Sequence, residues 1–314
     1  MTGQMSVEQD QVPIAGQRNR ASRRRSHERR DVLLLLGPCL LYLFAFSVFP
    51  LLYSLRNSFT DLGISKDSGR WVGLDNYVAI FNDPFFWNAA GNTVVMVGSA
   101  VVLQVVLGTA LALFFNQKLH GSWFVRGALI LPMLLTPIVV GVMWRAMLNP
   151  DWGIVNWIIK QLGLPSINWL GSTEWSMRTL VIADTWQWTP FVFLIVYARL
   201  QGLPDHVLEA ARADGAGRWA LFRHITLPLL APAIAFAAIF RGIDAFRSFD
   251  LVFGLTYGGP ARSTTTLSFL TYQSGFQFQQ YGYSAAIAYV MVVILIVAST
   301  ITLRFVRTRG VEGV

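Results

Sequence analysis

The chemically distinctive stretch of the sequence is Phe240-Arg241-Gly242-Ile243-Asp244-Ala245-Phe246-Arg247-Ser248-Phe249-Asp250. Arg241, Asp244, Arg247 and Asp250 recur every three residues with alternating sign, inside an otherwise apolar run. On a helix, residues three apart are neighbours, so the four can pair along one stripe. A charge at mid-bilayer costs about 2.5–3.5 kcal/mol on insertion scales, which a chain accepts where charges pair or face a wet cavity. Two uses stay open: an internal ion-pair ladder that fixes the helix in its bundle, and a polar wall along a path through it. Phe246 and Phe249 flank the stripe, and charged partners mixed with aromatic faces suit a hydroxyl-rich small molecule. Gln187 and Trp188, with Asp184 and Trp186 beside them, are weaker candidates for the same wall. Tryptophans near a membrane boundary, Trp144 included, more often serve as interfacial anchors.

The remaining chemistry is excluded more readily than assigned. The sequence has no G-x-x-x-x-G-K-[ST] phosphate loop, no G-x-S-x-G and no H-E-x-x-H, so catalysis by this chain is not expected. The four histidines (His27, His120, His206, His224) lack metal-ligand spacing, and Cys39 is the single cysteine, so neither a metal site nor a disulfide framework is expected. Charged residues are only 13% of the 314, about half the share of a soluble domain. In so apolar a chain, the net charge of +8 points to basic loops on one side of a membrane rather than to nucleic acid.

The elements that must position these residues are apolar runs. Val32–Tyr53, Phe86–Phe115, Phe124–Leu148, Met177–Leu200, Leu227–Leu255 and Tyr283–Val306 are each long enough to cross a hydrocarbon core of about 30 Å at about 1.5 Å per residue. Pro132, Pro137, Pro190 and Pro232 fall inside them and are tolerable where neighbours satisfy the freed carbonyls. The first run is too long for a signal-peptide core and lacks a small-x-small cleavage site. The expected fold is all-α and integral to the membrane, with six transmembrane helices. Placing both termini in the cytoplasm puts sixteen Lys and Arg inside and seven outside, the bias that orients such chains. Residues 1–30, rich in arginine and without apolar periodicity, read as a disordered basic cytoplasmic tail. Residues 31–307 read as one membrane domain, and 308–314 as a short cytoplasmic tail.

Between the fourth and fifth runs, residues 201–226 form a cytoplasmic loop with a pattern of its own. Pro204 suits a first helical turn, Asp205 and Glu209 complement the helix dipole, and Asp205–Ala213 are good helix formers. Gly215 fits a left-handed cap. Trp219, Phe222 and Ile225 fall at helical spacing and suggest a second short helix leading to Pro228. With Ala210, Ala211 and Ala213 around Glu209, the first helix can sit in a partner's groove. A re-entry elbow without a partner fits the spacing as well.

Glu209-Ala210-Ala211, then Asp214-Gly215-Ala216, Phe222, Ile225, Leu227-Pro228 and Pro232, resemble the EAA loop of binding-protein-dependent ABC importer permeases. Val72-Gly73-Leu74-Asp75-Asn76-Tyr77, Phe86-Trp87, Asn92-Thr93, Trp144, Asn149-Pro150, Trp186, Thr189-Pro190 and Gly258-Gly259-Pro260 agree with the carbohydrate, maltose- and trehalose-type branch. The resemblance spans roughly residues 32–306. It implies a type I importer transmembrane domain in a bacterial inner membrane that moves a sugar, a di- or oligosaccharide such as trehalose or a maltose-like glycan. It also implies that Glu209–Ala216 dock on an ATPase dimer, which carries the ATP and Mg that this chain does not bind. A second, usually different permease subunit and an extracytoplasmic sugar-binding lipoprotein would complete the machine. The first outer loop lacks the large insert of some maltose permeases, so contacts of that insert do not carry over. Import of glycerol-phosphate or another small polar solute is the nearest alternative. A self-contained ion-coupled transporter using the intramembrane Asp and Arg as a relay is the more distant one.

Overall fold

The computed structural model describes residues 35–63, 69–117 and 122–310. The basic tail 1–30, Lys66, Lys118 and the last four residues lie outside them. The described residues form helices and loops, with one isolated bridge between Thr60 and Trp71. Among the described residues, five helices are long and apolar enough to cross a membrane, and six when one bent pair counts as a span.

The first, α1 (Leu35–Asn57), is an apolar helix exposed along nearly its whole length. Residues up to Arg56 make a unit separate from the rest. A wider, π-type turn at Phe44–Val48 precedes Pro50, whose missing N–H breaks the regular ladder there.

The main body begins with α2 (Asp75–Asn82) and α3 (Pro84–Phe115). Asn76 Nδ2 donates to the Ser58 and Thr60 carbonyls at 2.9 and 2.8 Å, seating α2. Asp83 caps α3 by accepting from Phe85 N–H at 2.8 Å, with Pro84 at the first helical position. Next come α4 (Ser122–Leu134), α5 (Pro137–Met147), the short α6 (Ile154–Gln161) and the long α7 (Thr173–Gln201). The cytoplasmic-loop helix α8 (Asp205–Ala213) leads to α9 (Arg218–Phe246), α10 (Asp250–Leu255), α11 (Leu267–Tyr272) and α12 (Tyr281–Gly310).

The centre is α7, of whose apolar stretch 67% is buried against 22% in α3 and α9. Gly108 of α3 lets it touch α7, since a Cβ there would lie 2.7 Å from the Val192 Cβ and 2.9 Å from the Phe193 nitrogen. One apolar cluster joins Met96, Val140, Leu180, Leu251 and Phe269, and a second joins Phe115, Phe193, Val196, Leu230 and Ala237. A third, around Ile80, Phe86, Leu267 and Ile287, ties α2 and α3 to α11 and α12. Asn92 Nδ2 donates to the Arg262 and Thr265 carbonyls at 2.9 and 3.0 Å, and Thr93 Oγ1 accepts from Leu267 N–H at 2.9 Å. The Asn92-Thr93 pair thus pins the loop before α11.

Three expectations change. The third run is not one straight span: α4 and α5 meet at 100° around Leu135-Thr136. Pro137 holds Thr136 extended (φ −67°, ψ 140°) and ends the helix before it. The fifth run breaks too, after Phe246, so Asp250 opens a new helix rather than continuing the stripe. Phe249 leaves the ladder to pack with Phe253, Phe269 and Tyr272 at ring separations of 5.4, 6.1 and 5.0 Å. Trp219, Phe222 and Ile225 do not form a separate helix; they begin α9, with a π-type turn at Phe222–Thr226 two residues before Pro228. The last apolar run, Tyr283–Val306, lies within the longer helix α12, which continues to Gly310.

The broken pieces α5 and α10 lie backbone to backbone. A Cβ on Gly141 would come within 2.9 Å of the Leu255 nitrogen, and one on Gly254 within 2.8 Å of the Ile138 carbonyl oxygen. Arg145 Nε donates to the Leu255 carbonyl at 2.9 Å and closes the far end of the pair. Gly141→Ala should therefore destabilise the protein by about 1–3 kcal/mol through overpacking, read as a lower thermal midpoint in detergent. Gly98→Ala, where nothing lies within 4 Å of the new Cβ, is the matched control and should leave it unchanged.

Candidate functional site

Between the first two apolar clusters lies a polar layer. Arg241 of α9 is 1% exposed. Its Nε donates to Gln104 Oε1 of α3 at 2.9 Å, its Nη2 to Asp184 Oδ2 of α7 at 3.0 Å, and its Nη1 to Asp244 one turn on. Gln104 Nε2 donates to the same Asp184 oxygen at 2.7 Å. The guanidinium also stacks over Trp188, 4.6 Å from the ring centre. All three nitrogens of the guanidinium are thus engaged, and α3, α7 and α9 are joined through one side chain.

Beside this layer opens a cavity of about 340 Å³, lined by Pro137, Asp184, Trp188, Asp244, Ala245, Arg247, Ser248, Phe249 and Asp250. Both helix breaks border it, through Pro137 on one side and Ser248-Phe249 on the other. Arg247 is 4.0 Å from Asp244 and its side chain is 64% exposed. Asp244 thus faces two cations, one buried and one at the cavity. Carboxylates and the exposed Arg247 guanidinium beside the Trp188 and Phe249 rings can hydrogen-bond hydroxyls and cover C–H faces. A second groove, about 550 Å³ between α3, α4 and α7, is lined mostly by Leu, Ile, Pro and Trp186, with only Thr185 and Thr189 as polar members.

The sequence candidates therefore separate. Trp188, Asp244, Arg247 and Asp250 meet at the cavity, joined by Asp184. Arg241 is sealed beneath it. The regular ladder from Arg241 to Asp250 does not exist, because the break at 247–249 interrupts it, and no ion pair reaches Asp250 among the described residues. Phe246 leaves the site to pack against the Ile80–Ile287 cluster. Gln187 is fully buried, and its Nε2 donates to the Leu135 carbonyl at 2.9 Å, the group freed where α4 ends. Trp144 packs edge-on against Trp186 at 5.9 Å and, partly buried, joins the first apolar cluster. Gln104 was not among the sequence candidates, although the one amide between Val94 and Phe115 of α3 was its signal.

At the opposite end of α7, α8 begins at Asp205, with Pro204 one residue outside it. Gly215 adopts φ +84°. Its N–H donates to the Arg212 carbonyl and that of Ala216 to the Ala211 carbonyl, both at 3.0 Å, which is a complete Schellman closure. Ala211 is buried, while Glu209, Ala210, Asp214 and Gly215 are exposed on the helix and its cap, with Ala216 partly covered.

Residues 104–309 match the family described as binding-protein-dependent transport system inner membrane component. The trehalose/maltose transport system permease protein of Thermococcus litoralis is 33% identical over 93% of this chain and 98% of its own. The sulfoquinovosyl glycerol transport system permease protein of Agrobacterium fabrum is 34% identical over 90% and 92%. The trehalose transport system permease protein of Mycobacterium tuberculosis is 32% identical over 84% of each chain. Among solved structures, a chain of a bacterial alginate ABC transporter, crystallised with an alginate pentasaccharide-bound periplasmic protein, superposes with a TM-score of 0.79. It covers 92% of this chain and 99% of that one at 23% identity, which establishes the fold as that of a type I importer's transmembrane subunit.

Removing one partner of a buried ion pair strands the other charge. Asp184→Ala should lower stability by about 3–5 kcal/mol, measured as thermal or denaturant midpoint in detergent. Arg247→Gln should leave it unchanged, and Asp184→Leu combined with Arg241→Leu should recover most of the loss. Equal losses in Asp184→Ala and Arg247→Gln would rule out the buried pairing as what holds the layer.

Proposed function

The chain belongs to the family of binding-protein-dependent transport system inner membrane components, and from that membership we propose that it is the translocating subunit of an ABC importer for a di- or oligosaccharide, such as trehalose or a maltose-like glycan. It is a multi-pass inner-membrane protein. The observation that carries the sugar reading is the cavity at the helix breaks, where carboxylates, Arg247 and two aromatic rings converge. The trehalose and maltose relatives support it.

ATP hydrolysis falls to a separate ATPase dimer, which holds ATP and Mg. It engages α8 on its exposed Glu209 side, with Asp214, Gly215 and Ala216 forming the rigid end of the docking helix. A second permease subunit completes the path, and an outer sugar-binding protein delivers the ligand. Closure of the ATPases moves α8, and the bundle converts between two arrangements that expose the cavity to either side. In this scheme Arg241 holds the cavity floor, while Asp244, Arg247, Asp250 and Trp188 meet the sugar.

Two measurements test the reading. Glu209→Lys and Gly215→Pro, in transporter reconstituted into proteoliposomes, should cut uptake and binding-protein-stimulated ATP hydrolysis by about tenfold or more, the effect of losing an interface anchor of about 1.4 kcal/mol or more. Unimpaired uptake in both, or uptake driven by the proton gradient without ATP, overturns the coupling. Asp244→Asn and Arg247→Gln should reduce uptake per molecule at unchanged membrane level. A fall in protein level with uptake per molecule intact would make these residues structural.

A further inference from the structure

The segment joining α5 to α7 carries α6, and this helix presents apolar side chains on both sides. On its inner side Asn156 is buried, and Val155 and Ile159 are partly covered. Asn156 fixes the orientation: its Nδ2 donates to the Ile167 carbonyl at 3.0 Å, and its Oδ1 accepts from Ile167 N–H and Trp169 Nε1, each at 3.1 Å. Gly163, at φ +73°, closes the helix, with Leu164 N–H donating back to the Ile159 carbonyl at 3.1 Å. Thr179 Oγ1 donates to the Trp169 carbonyl at 3.3 Å and so ties the hairpin to the second turn of α7. With the inner face locked, Ile154, Trp157 and Ile158 must point outward, flanked by Trp152, Leu162 and Leu164. All six are between 47% and 71% exposed.

The depth of this face follows from α7. Its 29 residues extend over about 43 Å, against a hydrocarbon core of about 30 Å, so roughly four residues at each end project beyond the core. Thr179 therefore stands close to the boundary, at the end of α7 opposite α8, and the hairpin it holds lies at the same level. The exposed side chains of α5, Val139 and Val142, lead into the segment from the core side. Tryptophans and a lysine belong at such a boundary, and Lys160, exposed beside the apolar face, can reach a lipid phosphate.

We propose that α6 is an interfacial helix, lying in the plane of the membrane with Trp157, Ile154 and Ile158 sunk into the headgroup–acyl boundary of the leaflet opposite α8. Its occupant is the phospholipid of the bilayer that surrounds the spans. The helix then acts as a float that fixes the depth of α7, and with it the level of Asp184. The inference needs only that the chain spans a membrane; it is independent of the transported solute.

The test uses the full chain in phosphatidylcholine/phosphatidylglycerol nanodiscs. Cys39 is first replaced by serine, and an environment-sensitive fluorophore is attached at Trp157→Cys, at Ile158→Cys as a second site on the same face, or at Ser166→Cys on the exposed tip. The probes at 157 and 158 should be quenched about twofold or more strongly by lipid spin-labelled near the top of the acyl chain than the probe at 166. They should be correspondingly protected from aqueous iodide. Probes at 157 and 158 as open to iodide as the one at 166 would overturn the proposal. So would protection that arises only when the outer binding protein is added, since the face would then be a docking surface for that protein.

Discussion

A guanidinium buried in an apolar bundle sets the terms for everything around it. Arg241 can remain charged at this depth only if each of its nitrogens finds an acceptor, and the acceptors come from three different helices. The sites for Gln104, Asp184 and Asp244 are therefore fixed relative to one another, and α3, α7 and α9 with them. The apolar clusters on either side of the layer provide the bulk of the packing, but apolar packing alone tolerates sliding of one helix along another. Three directed hydrogen bonds and a ring stacked beneath the guanidinium do not. The layer therefore specifies the register of the bundle. It reaches the cavity through one group, because Asp244 faces both the sealed Arg241 and the exposed Arg247.

Irregular backbone is tolerated at membrane depth where it is buried in protein or borders a polar cavity. Both interruptions here meet that condition. At the first, the Leu135 carbonyl is answered by Gln187. At the second, Arg247 and Ser248 N–H fall back to the Asp244 and Ala245 carbonyls, tightening the last turn of α9. The two fragments released by these breaks, α5 and α10, then clasp each other through Gly141 and Gly254 and through Arg145. They are joined to the long helices by short breaks but to one another by direct backbone contact. The cavity is thus bounded by long helices fixed by the Arg241 layer on one side and by a paired fragment with its own rigidity on the other.

Much of this was legible in the sequence. Run length marked the spans, and Gly215 marked the end of α8, because only a residue tolerant of positive φ serves that closure. Pro132 and Pro137 were visible, but a proline in a membrane helix is compatible with a mild kink, and the 100° bend depends on Gln187 from another helix. The break at 247–249 has no local signal at all: no proline or glycine lies there, and Phe249 leaves the helix because an aromatic cluster formed by α10 and α11 receives it. The charge stripe misled for a related reason. Spacing of three residues reports which partners share a helix, whereas Arg241 takes two of its three from α3 and α7. Phe246 read as part of the stripe because sequence proximity was the only measure, and tertiary packing places it in a different cluster.

The continuity of α9 bears on how the two ends of the molecule can communicate. A separate short helix before Pro228 would place a flexible joint between the docking loop and the membrane. Instead the chain runs helically from Arg218, three residues after the Gly215 cap, to Arg241 and beyond. Twenty-three residues at about 1.5 Å each make this a rod of roughly 35 Å. The π-type turn before Pro228 widens the ladder without interrupting it. Under the proposed coupling, a displacement of α8 that crosses the turn at residues 214–217 is delivered to the Arg241 layer as a tilt or translation of one rod. The layer resists independent movement of α3, α7 and α9, so the three must move together. The compliant elements are then the breaks at 135–136 and 247–249, which border the cavity. A push at α8 would accordingly alter the shape of the site where the solute contacts the protein, while the buried ion pairs that fix the register remain intact.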